Sequence, residues 1–188
     1  MRLQVVQTRE PGGTTLGRRL RRELLRGGEV NPMAEMLLYA ADRAQHVAEL
    51  ILPALEQGKT VLCDRFSDST MAYQGFGRGL DQSLIARLNA VAQQGVPPDL
   101  TLWLDLPVEV GLARVGSRGE RDRFELEDVR FHERVRAGFQ WLAEQEPGRI
   151  VRLDATLSPT DLVAAAWAEI EKRLLPLESD RMSKAGSE

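Results

Sequence analysis

The chain has 188 residues, 43% hydrophobic and 28% charged, and carries a formal net charge of -3. That composition belongs to a folded globular domain and excludes wholesale disorder, while the near-balanced charge gives no support to a general nucleic-acid or anionic-membrane binder. A single cysteine, Cys63, excludes an intramolecular disulfide, and no apolar run reaches the ~18–20 residues of a membrane span. The opening Met1-Arg2-Leu3-Gln4 has no apolar signal core, so a cytoplasmic location is expected.

Residues Leu3–Thr8 are short, apolar and β-branched and predict a strand, which runs into the turn cluster Arg9-Glu10-Pro11-Gly12-Gly13. Leu16, Leu20 and Leu24 recur at helical spacing up to Gly27-Gly28. Pro32 opens a long helix whose stripe of Met36, Leu37, Ala40, Val47, Leu50, Ile51, Ala54 and Leu55 is expected to be buried, with Gly58 as its stop. Thr60–Cys63 reads as a buried strand ending at Asp64-Arg65. After the glycine-rich Gly75-Phe76-Gly77-Arg78-Gly79, Asp81 caps a helix carrying Leu84, Ile85, Leu88 and Val91. Leu100–Leu104 gives a third strand, Pro107 starts a helix, and 116–125 is a charged loop. Glu127–Glu144 predicts a helix with Val129, Val135, Phe139 and Leu142 inward. Arg149–Leu153 is a fourth strand, and Ser158-Pro159 caps a last helix. One domain over 1–175 and a polar tail over 176–188 are expected.

Alternating strands and helices predict an α/β fold with a mostly parallel sheet, in which ligands bind beyond the carboxyl ends of the strands. Those ends carry Arg9-Glu10, Asp64-Arg65, Asp105 and Asp154, a pattern suited to an anionic ligand and a cation. At Asp64-Arg65 the planar guanidinium matches phosphate oxygens and the carboxylate suits Mg²⁺, although a strand-end salt bridge fits the dipeptide equally well. Cys63 reads as a small buried hydrophobe. His46 reads as a surface or core residue and His132 as a helix-face residue. Trp103, Trp141 and Trp167 read as core or interface residues.

The segment Leu62-Cys63-Asp64-Arg65-Phe66-Ser67-Asp68-Ser69-Thr70-Met71-Ala72-Tyr73-Gln74 resembles the signature of the thymidylate kinase family. Thr8-Arg9-Glu10-Pro11-Gly12-Gly13-Thr14, Leu37–His46, Arg118–Glu125 and Leu153-Asp154-Ala155 are similar to further segments of that family, in the same order. The resemblance implies an α/β, P-loop nucleoside-monophosphate-kinase-like parallel sheet flanked by helices, with 116–125 as the lid. It implies transfer of a phosphoryl group from ATP to dTMP with Mg²⁺, in a homodimer. Residue by residue, Tyr39 would stack on thymine, where many members carry phenylalanine, and Arg43 would bond the base carbonyl. Ser69, Thr70 and Gln74 would complete the base contacts, and Tyr73 would favour deoxyribose. Arg65 would grip the dTMP phosphate, Glu10 would lie near phosphates and metal, and Asp64 is a further magnesium candidate. Arg118 and Arg123 would close over the transferred group, whereas Arg121 replaces a usually apolar residue.

Such kinases need a G-x-x-x-x-G-K-[ST] phosphate loop after a first strand. Lys59, Lys172 and Lys184 are the only lysines, and none completes that motif. The resemblance begins at the family's second strand, so the first β-α unit is expected to be missing from these residues. This leaves two explanations, a start placed at an internal methionine of a longer kinase, or a real fragment or degenerate copy. Without the loop, the 188-residue form is expected not to phosphorylate dTMP. The alternatives are a non-catalytic dTMP-binding remnant, a kinase for another deoxynucleoside monophosphate, or an interaction protein that keeps the fold.

Overall fold

The computed structural model describes residues 4–116 and 122–174. Strand β1 (Val5–Arg9) and β2 (Thr60–Asp64) are rich in β-branched residues and pair in parallel, from Val5 opposite Thr60 to Arg9 opposite Asp64. Strand β3 (Thr101–Asp105) and β4 (Ile150–Asp154) do the same, from Thr101 opposite Ile150 to Asp105 opposite Asp154. Parallel pairing demands crossovers, and helices supply them.

These are α1 (Thr15–Arg26), α2 (Pro32–His46), α3 (Leu52–Glu56), α4 (Ser67–Thr70), α5 (Gln82–Gln93), α6 (Val108–Gly116), α7 (Val129–Gln145) and α8 (Pro159–Arg173). Their starts follow side-chain capping. Asp81 accepts from the amides of Ser83 and Leu84 at 2.7 and 3.2 Å, Asp128 from Phe131 at 2.7 Å, and Ser158 from Asp161 at 3.2 Å.

The α/β class, the parallel pairing and the flanking helices stand as expected. The described strands, however, divide into two two-stranded sheets. They are also not covered on both faces. Val5, Leu62 and Leu104 are 54%, 55% and 53% exposed, so β2 is half-buried rather than buried. The halves are joined by an apolar cluster that includes Met36, Ile85, Trp103 and Ile150, and by polar contacts. Asp68 at the start of α4 receives Arg149 Nη1 and Nη2 at 2.7 and 2.8 Å, together with the Thr101 hydroxyl at 2.8 Å.

One further expectation changes in part. The long helix from Pro32 is continuous through a π-helical segment, Val47–Ile51, before α3. Met36, Val47, Ile51 and Ala54 of its expected stripe are buried, but Leu37 and Leu55 are 48% and 38% exposed, and Glu35, Asp42, Arg43 and His46 share the buried face. The glycine-rich stretch begins inside a helix, as α4 passes into a π-helical segment over Met71–Gly77, and Gly79 lies beyond it with φ 75°. Gly77 within it is a contact residue. A Cβ at Gly77 would meet Phe131 Cε2 at 2.7 Å, and one at Gly138 on α7 would meet Phe76 at 2.9 Å. Removing both methyl groups lets the segment seat against α7.

The core has two parts, one around Met36, Met71, Ile85, Trp103, Leu142 and Ile150, the other around Ala72, Phe124, Phe131 and Val135. Of the tryptophans, Trp103 is buried, whereas Trp141 and Trp167 are 37% and 47% exposed. Val129 is exposed, while Val135 and Leu142 face inward as expected. No helix among the described residues is long and apolar enough to cross a membrane.

Candidate functional site

The polar face of α2 makes sense against the end of β1. Arg43 is 1% exposed and donates from Nε to Glu10 Oε2 at 2.9 Å, from Nη1 to Asn89 Oδ1 at 2.8 Å and from Nη2 to Thr70 Oγ1 at 2.9 Å. Its guanidinium carbon also lies 5.1 Å from the Phe66 ring centroid. A buried arginine needs such partners, and here one side chain joins β1, α2, α4 and α5.

Glu10 is 3% exposed. Its other oxygen lies 2.9 Å from His46 Nδ1, and His46 Nε2 lies 2.8 Å from the Thr8 hydroxyl. Both ring nitrogens of His46 are thereby partnered inside the fold. His46 is thus a core residue, as expected.

The Gly12-Gly13 turn wraps this cluster closely. A Cβ at Gly13 would sit 2.4 Å from His46 Nε2, and Gly12 has φ +115°, the left-handed side that glycine tolerates. Asp42 Oδ1 accepts from the Gly12 amide at 3.2 Å, while Oδ2 is buried without a partner. Burial, aided by the nearby Glu10 carboxylate, raises the Asp42 pKa to about 6.

Beyond these groups opens a cavity of about 250 Å³ at the carboxyl ends of β1 and β2. Arg43, Ser69, Thr70 and Gln74 line one part of it, and Tyr39, Tyr73 and Phe124 supply aromatic wall. Glu10, Asp64, Arg65 and Arg21 complete the charged lining. Arg65 adopts φ 67°, unusual for a residue with a side chain, and its guanidinium carbon lies 4.9 Å from the Tyr73 ring centroid. Its side chain remains accessible. Tyr73 itself is edge-on to Phe124 at 5.5 Å, a packing that fixes its plane. Burial pushes the Tyr39 phenol above its ordinary range and holds it protonated. Burial likewise raises the Cys63 thiol, which is only half-buried but donates to the Arg65 carbonyl at 3.0 Å.

Nine sequence-predicted residues therefore surround one cavity: Glu10, Tyr39, Arg43, Asp64, Arg65, Ser69, Thr70, Tyr73 and Gln74. Arg123 does not join them. It pairs with the fully buried Glu35, its Nε donates to the Leu24 carbonyl at 3.1 Å, and it lines a neighbouring groove. Glu35 also receives Gln74 Nε2 at 2.8 Å and Arg78 at 3.3 Å. Arg118 and Arg121 lie outside the described residues, as does the tail 176–188.

The strand-end carboxylates do not all face a ligand. Asp105 is buried between Arg136 Nε at 2.6 Å and Arg152 Nε at 2.8 Å, and Asp154 accepts from the Thr156 hydroxyl at 2.7 Å. Among the described residues no group of three or more His, Cys, Asp or Glu is placed to hold a metal.

Sequence reasoning missed Arg21, Phe124 and His132 in the lining. For Arg21 a signal existed, since Gly17, Arg21 and Leu24 share one helix face and Gly17 and Leu24 are buried. For His132 the charged α7 face hid it.

Residues 1–166 match the family model described as "Thymidylate kinase". The chain is 58% identical over 167 residues to a thymidylate kinase of Synechococcus sp. (strain JA-2-3B'a(2-13)), covering 89% of this chain and 80% of that protein. It is 53% identical over 178 residues to one of Desulfovibrio desulfuricans, covering 90% and 82%. Its structure is similar to the crystal structure of thymidylate kinase from Ehrlichia chaffeensis, with a TM-score of 0.67, 38% identity, and coverage of 80% of this chain and 74% of that one.

Proposed function

The chain belongs to the thymidylate kinase family, and on that premise we propose that the cavity receives dTMP as phosphoryl acceptor, with ATP as donor, to give dTDP and ADP. The carrying observation is the convergence of an accessible arginine, an aromatic wall and a satisfied polar floor on one cavity of about 250 Å³. In this reading Tyr39 stacks on thymine. Arg43 has three donor positions anchored, and its two remaining N–H groups reach the base carbonyl. Thr70, Ser69 and Gln74 bound the base, and Tyr73 crowds the 2′ side of the sugar.

Arg65 takes the dTMP phosphate, and the fixed Tyr73 ring beneath it holds the guanidinium ready. Phosphoryl transfer is chiefly positioning and neutralisation of charge spread over equatorial oxygens, so a preset arginine lowers the barrier without reorganising. Glu10, held by Arg43 and His46, acts on the phosphate region through the floor it builds rather than as a mobile base.

Asp64 would help to hold a magnesium ion, which would supply neutralisation of phosphate charge there. Asp64 lines the cavity as a lone carboxylate, which fits an ion held mostly by water and substrate phosphates. No G-x-x-x-x-G-K-[ST] run occurs in the 188 residues. The nearest fragment, Gly58-Lys59-Thr60, leads from helix into strand, the reverse of the order a phosphate loop needs. The described residues thus account for the acceptor side. Cytoplasmic location and a helix-packed homodimer belong to the same reading.

Titration calorimetry of the purified 188-residue chain with dTMP, dUMP, dGMP and the ribonucleotide of thymine tests it. The expected result is saturable binding of dTMP in preference to the other three, weakened by Arg65→Ala. A folded chain that takes up none of them overturns it.

A further inference from the structure

Among the described residues, two buried side-chain polar atoms have no hydrogen-bond partner, Asp42 Oδ2 and His132 Nε2. The first is accounted for by a carboxyl that titrates upward in its buried cluster. The second is different because His132 stands on the cavity wall. An imidazole nitrogen withdrawn from water without a partner is destabilising, so it calls for a group that satisfies it.

The placement of His132 is not accidental to the chain path. Asp128 caps α7, its side chain taking the Phe131 amide at 2.7 Å and its carbonyl the His132 amide at 3.4 Å. This directs the first turn of α7 at the cavity. The ring is held edge-on to Phe131, with centroids 5.6 Å apart and planes at 86°. Phe131 in turn lies 6.2 Å from Tyr73, over which Arg65 is poised. The contacts run from His132 through Phe131 and Tyr73 to Arg65, whereas the base-side groups Arg43 and Thr70 come from α2 and α4 and are bonded to each other.

We infer that His132 is a nucleotide-contacting residue whose Nε2 hydrogen-bonds an oxygen of the sugar–phosphate portion of the bound nucleoside monophosphate. The inference rests on the acceptor-pocket reading above. It adds a residue from a third direction, so that α7, and not only the strand ends, recognises the ligand.

Calorimetry of the full 188-residue chain with dTMP and with thymidine is the test, on wild type, His132→Phe and His132→Gln, with thermal unfolding of each. His132→Phe keeps a ring for packing and removes the polar atom; it is expected to weaken dTMP at least tenfold. His132→Gln, which restores a donor, recovers most of the affinity. Loss confined to dTMP assigns the phosphate oxygen, and equal loss for thymidine assigns the sugar oxygen. In ¹⁵N spectra of wild type, the His132 Nε2 resonance shifts on saturation with dTMP. If wild type binds dTMP while His132→Phe binds it within twofold and the Nε2 resonance stays put, the inference is overturned and the pocket reading survives. A folded wild type that binds no dTMP overturns both.

Discussion

Replacing Glu35 by Gln tests how the second ion cluster holds the fold. Glu35 is fully buried, and its carboxylate gathers Gln74 and Arg78 from one stretch of the chain and Arg123 from another. The substitution preserves shape but leaves two guanidinium groups, each with only 16% of the side chain exposed, facing a neutral amide. Removing one partner of a buried pair costs about 3–5 kcal/mol. The lower end applies here, because Arg78 keeps Glu127 and Arg123 keeps the Leu24 carbonyl. A loss of about 3 kcal/mol against a urea slope of ~2 kcal/mol/M moves the unfolding midpoint down by about 1.5 M. Urea denaturation followed by far-UV circular dichroism measures this directly. A midpoint lowered by less than about 0.5 M at unchanged slope would refute the argument that a buried carboxylate organises this corner. A double-mutant cycle with Arg123→Met apportions the remainder, and the two residues are expected to be strongly non-additive.

Asp42 gives a pH signature of opposite sense to an ordinary surface carboxylate. Its pKa is raised from 3.8 to about 6, so the stability it contributes is complete below its unfolded value and is lost as pH rises through about 6. That interval corresponds to about 3 kcal/mol. The stability of Asp42→Asn relative to wild type should therefore grow by up to that amount between pH 4 and 7, and a flat difference would count against it. Asp105 behaves conversely. Its pKa is held down by Arg136, so Asp105→Asn should lose its effect on stability as the pH falls through the folded-state value. Gly77→Ala and Gly138→Ala each force a Cβ to within 2.9 Å or less of an aromatic or aliphatic side chain and should cost about 1–3 kcal/mol. Gly28→Ala, with nothing within 4 Å, should be neutral in the same thermal-melt comparison.

The strands, the capped helix starts and most of the cavity lining were legible in the sequence, because they depend on local pattern: β-branched runs, Asp81 and Ser158 as caps, and a dense signature around Asp64-Arg65. What was not legible depends on pairs of residues far apart in the chain. An apolar stripe placed Leu37 and Leu55 inside, but Glu10 pairs with Arg43 and His46, and Glu35 with Arg78 and Arg123, so polar side chains share the inward face of α2. Nor does any local pattern announce that glycine is needed at 77 and 138, where Phe131 and Phe76 take the room. Asp105 looked like a ligand-facing carboxylate until Arg136 and Arg152 claimed it from α7 and β4.

The division of the strands into two pairs also bears on handling the protein in solution. Within the described residues β2 and β3 each pair on one side only, and each presents a leucine that is more than half exposed, Leu62 and Leu104. An unpaired edge with an apolar face is a template for intermolecular strand addition. Charge guards the ends of β2, through Lys59, Asp64 and Arg65, but not its middle, Val61-Leu62-Cys63. Concentrated stocks of this chain are therefore expected to form higher assemblies by edge-to-edge association, faster at high salt where those guarding charges are screened.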